Sequence, residues 1–132
     1  MTTRGTSYTN PLTLSYGWPA VDFGGGADIV QRIKGPAGKK GRIVDVSVEA
    51  TEAFNSPTNP AHVLVGIASD TDSVLDWNVG DVDVNTVVNA STSINPGLNE
   101  VPADTLVLVT LQAVTGTSPT GTGNVRLFID WF

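Results

Sequence analysis

The sequence predicts an all-β domain, a two-sheet antiparallel sandwich of jelly-roll type with seven to eight strands. Fourteen glycines and eight prolines interrupt the 132 residues at short intervals, and the segments between them are rich in Val, Ile and Thr. Several segments alternate apolar and polar residues, which is the period of a half-buried strand. No segment repeats apolar residues at the helical period over three turns, so helix is expected only as a single turn near residues 73–77. Two packed sheets bury such faces, with an immunoglobulin-like sandwich as the alternative arrangement.

The chain divides into a polar N-terminal arm, residues 1–17, and a single sandwich domain, residues 18–132. Leu12 and Leu14 alternate with polar neighbours, which indicates a first short strand at the end of the arm. Residues 18–26 are expected to form a loop, because the segment opens with Trp-Pro and closes with three glycines. Those glycines are not followed by the Lys-Ser or Lys-Thr pair and the helix that a phosphate-binding loop requires.

The clearest strand covers residues 42–54, after a weaker strand at 27–34 and a basic Gly/Pro turn. Four apolar residues of this strand are expected on the buried face: Val44, Val46, Val48 and Ala50. The polar residues between them alternate onto the wet face, as the period of two requires. A further strand is predicted at residues 61–68.

The second half of the chain begins with an Asp-rich segment, residues 69–83, which is expected to be mostly loop or short strand. A weak strand is predicted at residues 84–93. Residues 105–114 carry apolar side chains on both faces, which is typical of a strand in the centre of a sheet. The alternating residues 124–132 are expected to close the fold, with Trp131 in the buried register of Ile129.

Composition excludes several classes of function. The absence of cysteine rules out disulfides, thiolate metal sites and a cysteine nucleophile. A net charge of −6 argues against direct nucleic-acid binding, which needs a basic surface. No apolar run approaches the roughly 20 residues of a membrane span, and the first residues lack the apolar core of a signal peptide.

Catalytic motifs are weak in this sequence, and no enzyme is predicted. His62 is the single histidine, and no Gly-x-Ser-x-Gly elbow accompanies it. Glu49 and Glu52 are expected on opposite faces of one strand, which does not suit the paired carboxylates of a glycosidase.

Metal and ligand sites also have few candidates, and no cofactor is predicted. Asp70, Asp72 and Asp76 are weak candidates for calcium ligands, against the alternative of a solvated acidic loop. Trp18 and Trp77 are expected in loops, where they could anchor a protein contact or stack on a sugar ring. A carbohydrate-binding module, stabilised by calcium, is therefore kept as an alternative function.

Four stretches together resemble the small jelly-roll head decoration, or cement, proteins of tailed bacteriophages. They are Gly-Arg-Ile-Val-Asp-Val at residues 41–46, Val-Gly-Ile-Ala-Ser-Asp-Thr-Asp at 65–72, Val-Pro-Ala-Asp-Thr at 101–105, and the closing segment 125–132 with its Ile-Asp-Trp. The similarity extends over about residues 34–132 and is one of pattern, without a catalytic motif.

The resemblance implies a non-enzymatic virion protein that is made in the host cytoplasm and stabilises the outside of a capsid. Its expected partners are the major capsid protein and further copies of itself, as a dimer or trimer, with no direct contact to nucleic acid or membrane. A tail or baseplate jelly roll of similar size is a further alternative. The candidate interface residues are Thr6, Tyr8, Asn10, Leu12, Trp18, Lys39, Lys40 and Arg42.

Overall fold

A computed structural model describes residues 12–55, 58–95 and 97–132. Within them the chain forms nine strands and one short 3₁₀ turn at Ser91–Ser93. The strands are β1 (Leu12–Asp22), β2 (Ile29–Ile33), β3 (Gly41–Asn55), β4 (His62–Ile67), β5 (Asp70–Asn78), β6 (Val87–Asn89), β7 (Glu100–Val101), β8 (Val107–Gln112) and β9 (Thr120–Trp131).

The strand order is that of a jelly roll. Sheet A has the order β1-β9-β3-β6, with β7 paired to the start of β3, and sheet B has the order β2-β8-β4-β5. With the two-residue β7 left aside, the first strand pairs with the last, the second with the last but one, and so on inward, always antiparallel. A long ribbon of paired strands has therefore been rolled into two facing sheets. The predicted sandwich is confirmed, whereas an immunoglobulin-like order would place the first strand beside the second.

The hydrophobic core lies between the two sheets and is closed by aromatic rings. Phe23 and Phe54 meet with their ring centroids 5.2 Å apart. The Trp131 ring is 2% exposed and packs against Gly35 and Gly41, where any added Cβ would overlap the indole. The prediction that Trp131 belongs to the core is confirmed. The central strands supply most of the remaining core, including Val46, Val48, Val63, Val65, Val107, Val109, Leu111, Val125, Leu127 and Ile129.

A β-bulge changes the predicted faces of β3 near its start. The register against β9 shifts between Ile43 and Asp45, so Ile43 is buried and Val44 is 45% exposed. The expectation that Val44 is buried is wrong, because the extra residue of a bulge reverses the alternation. Asn99 stabilises this bulge from the side. Its side-chain amide nitrogen donates to the Ile43 carbonyl at 2.8 Å, and its main-chain carbonyl accepts from the Ile43 N–H at 2.9 Å.

The loop predicted at residues 18–26 begins later than expected, because β1 continues to Asp22. Pro19 is tolerated within β1 because β1 lies at the edge of sheet A, where one side of the strand needs no ladder donors. The register against β9 shifts between Trp18 and Val21, and Ala20 has a φ of 52°. The strand is therefore regular only as far as Trp18.

The Asp-rich segment contains a nine-residue strand, β5, and the helical turn predicted near residues 73–77 is wrong. Leu75 and Trp77 point into the core, and the carboxylates of the strand remain exposed. The strand formed by residues 105–114 is central, as predicted, since β8 lies between β2 and β4.

Candidate functional site

His62 lies at the start of β4 on the outer face of sheet B, where it pairs with Asp76. The His62 Nδ1 and Asp76 Oδ1 atoms are 2.7 Å apart, and the two side chains are 26% and 51% exposed. This is the one ion pair among the described residues. Within the same residues, no hydroxyl hydrogen-bonds to the imidazole. Asp76 therefore fixes the orientation of the His62 ring, but the nucleophile that a catalytic triad requires is not bonded to that ring among the described residues.

Of the three candidate calcium ligands on β5, Asp70 and Asp72 interact with each other, whereas Asp76 pairs with His62. A hydrogen bond that protonated Asp72 donates to Asp70, and then the negative charge of Asp70, raise the pKa of Asp72 above its usual value, and Asp76 adds a weaker repulsion. Asp76 itself bonds to His62. In the described part of the chain, no three His, Cys, Asp or Glu side chains are grouped as a metal site.

The two glutamates of β3 both bond to β9. Glu49 Oε1 accepts from Asn124 Nδ2 at 3.0 Å, and Glu52 Oε1 accepts from Gly121 N and Thr122 Oγ1 at 3.2 Å each. Their carboxylates therefore strengthen the pairing of β3 with β9. The geometry shows no catalytic pair at this position.

The tryptophans have separate environments, and the loop position expected for Trp77 is wrong. Trp77 is 6% exposed and belongs to the core. Trp18 is half-buried on β1 and lines a groove of about 550 Å³ on the outer face of sheet A, together with Phe128 and Val87. Trp18 packs partly against the core, and it is the more exposed of the two candidate tryptophans.

Four candidate interface residues converge at one end of the sandwich, and we call Leu12, Lys39, Lys40 and Arg42 the basic corner. The end of β9 holds them together, because β9 lies between β1 and β3. Leu12 is opposite Trp131 in the register of β1, and Leu12 is 52% exposed.

Residues at the C-terminal end of β9 fix the turn before β3. Lys40 N donates to the Phe132 carbonyl at 2.8 Å, and Phe132 N donates to the Lys40 carbonyl at 2.9 Å. The guanidinium of Arg42 lies 4.7 Å from the centre of the Phe132 ring, a cation–π distance. Lys39, Lys40 and Arg42 form no ion pair with a described residue. The register places Asp130 and Glu100 on either side of Arg42, so the exposed positive charge of the basic corner comes from Lys39 and Lys40.

The other candidate interface residues lie elsewhere. Thr6, Tyr8 and Asn10 are outside the described residues. Trp18 is six positions along β1 from Leu12, which is about 20 Å at the rise of an antiparallel strand.

Comparisons with known proteins show structural likeness of low similarity. The chain matches no protein-family model and no curated protein. Among solved structures it is similar to a chain of the capsid asymmetric unit of cyanophage Pam1, with a TM-score of 0.47 and 14% sequence identity. The alignment covers 98% of this chain and 91% of that chain.

Sequence reasoning missed an apolar strip on the outer face of sheet B. Val30 and Leu106 are each 40% exposed, and the register places Leu108 and Leu64 on the same face. The signal for this strip was present in residues 105–114, whose apolar side chains occupy both faces of β8. No helix in the described ranges is long and apolar enough to cross a membrane.

Proposed function

We propose that the chain is a non-enzymatic virion protein that attaches to the outer surface of a phage capsid and stabilises it. The observation that carries the proposal is the basic corner, where the exposed Lys39 and Lys40 form no ion pair with a described residue and lie at the same end of the sandwich as the exposed Leu12. A surface of this kind, on a protein of net charge −6, suits an acidic region of a protein partner. The sequence resemblance to head decoration proteins supports the same function.

Attachment of this kind needs no pocket. Exposed apolar residues on both sheets and the basic corner offer several shallow contacts, each weak alone. Repetition over a symmetric shell, and association into a dimer or trimer, multiplies such contacts into stable attachment. The proposed main partner is the major capsid protein.

The test is co-sedimentation with heads purified without this protein from the phage that encodes the chain. Lys39→Gln/Lys40→Gln neutralises two charges of the basic corner. Thr71→Glu/Ser73→Glu adds two negative charges on β5, at the far edge of sheet B, so both double variants carry −8 in place of −6. We expect saturable binding of the parent protein, weakened about three- to tenfold by the first variant and unchanged by the second.

Two results would contradict the proposal. One is the absence of saturable binding by the parent protein. The other is an equal loss of binding to heads in the two variants, which would mean that net charge alone controls co-sedimentation. Binding to purified tails in place of heads would favour the tail or baseplate alternative.

One observation favours carbohydrate binding as a second function. The groove on sheet A is lined by Trp18, whose ring packs partly against the core, and by Phe128, together with the polar side chains of Glu49 and Arg126. Burial of Trp77 removes the other stacking ring that this function was expected to use. Calorimetric titration with oligosaccharides, repeated on Trp18→Ala, would show binding that depends on this ring if the second function is correct.

A further inference from the structure

The edge strand β1 is open for strand pairing. It pairs with β9 in unbroken register from Leu12 to Trp18, and no described strand pairs with its other side. In an edge strand, alternate N–H and C=O groups point away from the sheet and can pair with another chain. Residues 12–18 therefore form a seven-residue template for an added strand.

β1 differs from the other edge strands of the sandwich, which include the two-residue β7. Proteins usually protect such edges with charges, proline, bulges or short length. β2 carries Arg32, β5 carries three aspartates, and β6 has three residues. In β1 the proline and the register shift follow Trp18, and residues 12–18 contain no charge. The regular part of β1 thus lacks the protection that the other edges have.

Two cations lie beside this open edge. A shallow cavity of about 510 Å³ separates β1 from β2, and it is lined by Tyr16 and Trp18 on one side and by Arg32 and Lys34 on the other. Arg32 and Lys34 are exposed, and neither forms an ion pair with a described residue. An added strand on β1 would lie beside this cavity, at the edge that Arg32 and Lys34 line.

We infer that β1 binds an extended, acidic segment of a protein partner by strand addition. Main-chain hydrogen bonds to residues 12–18 give affinity, and carboxylates over Arg32 and Lys34 give specificity. The inference rests on the proposed function for the identity of the partner, which is then an extended acidic segment of the capsid protein.

Charge disfavours a second copy of this chain at the same edge. Antiparallel pairing of β1 with itself has its two-fold axis perpendicular to sheet A, so sheet B of both copies lies on the same side. Arg32 and Lys34 of both copies would then meet at one seam, and four like charges there oppose association.

The test uses the full chain and a nine-residue capped peptide in which Val alternates with Thr or Asp. A peptide with Lys in place of Asp is the ligand control. Arg32→Glu/Lys34→Glu, called the β2 variant, is compared with Lys39→Glu/Lys40→Glu, called the basic-corner variant. Both double variants carry a net charge of −10 in place of −6, since each reversal adds two negative charges. Binding is followed by amide chemical shifts and by hydrogen exchange.

The acidic peptide is expected to protect amides within residues 12–18. Its affinity should fall about tenfold in the β2 variant and stay within about threefold in the basic-corner variant. The inference is overturned by equal loss in both variants, by equal binding of the Lys peptide, or by shifts confined to another edge. It is also overturned if the β1 amides are already protected from hydrogen exchange without the peptide, either by self-association of the chain or by residues 1–11. Deletion of those residues distinguishes the two.

Binding to heads separates this inference from the proposed function. If the β2 variant attaches to heads as the parent does, the proposed function stands and the strand-addition inference fails. If the peptide binds β1 while heads do not bind at all, strand addition stands and the assignment of a capsid partner fails.

Discussion

Replacement of Asn99 by Asp tests how the β3 bulge is stabilised. Asn99 is 6% exposed, its amide nitrogen donates to Ile43, and its Oδ1 is buried with no partner among the described residues. An ionised carboxylate at this position would put negative charge on two buried oxygens that have no donor. A protonated carboxyl keeps one O–H, which can donate to the same carbonyl and restore the lost bond.

The expected cost depends on pH. At pH 7 an uncompensated buried charge lowers the free energy of unfolding by about 3–5 kcal/mol. Burial raises the pKa of the introduced carboxyl in the folded state, so the penalty is absent below the unfolded-state pKa of about 3.9. It grows as pH rises and is complete above the raised pKa of the folded state.

Urea denaturation of the parent and of Asn99→Asp at several pH values between 3 and 7 measures this penalty. Asn99→Ala is the control, because it removes the hydrogen bond without adding a titrating group. Its cost, about 1–2 kcal/mol, should not depend on pH. The reasoning is refuted if Asn99→Asp loses less than about 1 kcal/mol at pH 7, or if its loss is equal at pH 3.

Further predictions concern the core, the acidic edge and one hairpin. Leu127→Ala should cost about 2–5 kcal/mol in urea denaturation, whereas Leu98→Ala, at a side chain 69% exposed, should change stability by less than about 0.5 kcal/mol. Similar costs would contradict the core assignment. Asp72→Asn should raise the melting temperature at pH 7 and leave it unchanged at pH 3. A hydrogen bond to Asp70 and then the negative charge of Asp70 raise the pKa of Asp72, and the repulsion between the two exists only when both are ionised. A gain that persists at pH 3 would disprove this cause. Gly66→Ala should cost about 1–3 kcal/mol, since its Cβ would overlap the backbone of the β4–β5 hairpin, and a neutral effect in thermal melts would argue against this packing.

The fold class was predictable because it depends on local alternation. The period of two in β3, and the apolar residues on both faces of β8, give the strands and the central position of β8 directly. The strand order was not predictable in detail, because its pairs are remote in sequence. Thr13 bonds to Asp130, and the intervening 116 residues show no local sign of this contact.

Local signals failed where tertiary context decides the conformation. Pro19 indicated a loop, but an edge strand accommodates proline. The aspartates of β5 indicated a loop, so Trp77 was expected in that loop, but its side chain is buried between the sheets. The bulge at Val44 depends on contacts with Asn99, which is more than 50 residues away.

The candidate surface was predictable only as separate pieces. Leu12 and the basic turn were identified independently, and the end of β9 brings them together. Arg32 and Lys34 were not identified, because their importance comes from the open edge of β1, which appears only when both sheets are assembled.

Hydrogen–deuterium exchange of the chain bound to heads maps the contact surface on the intact assembly. We expect slower exchange within residues 12–18 and around Lys39 and Lys40, with β5 unchanged. Protection of β5 in place of β1, or no change anywhere on saturated heads, would contradict this expectation.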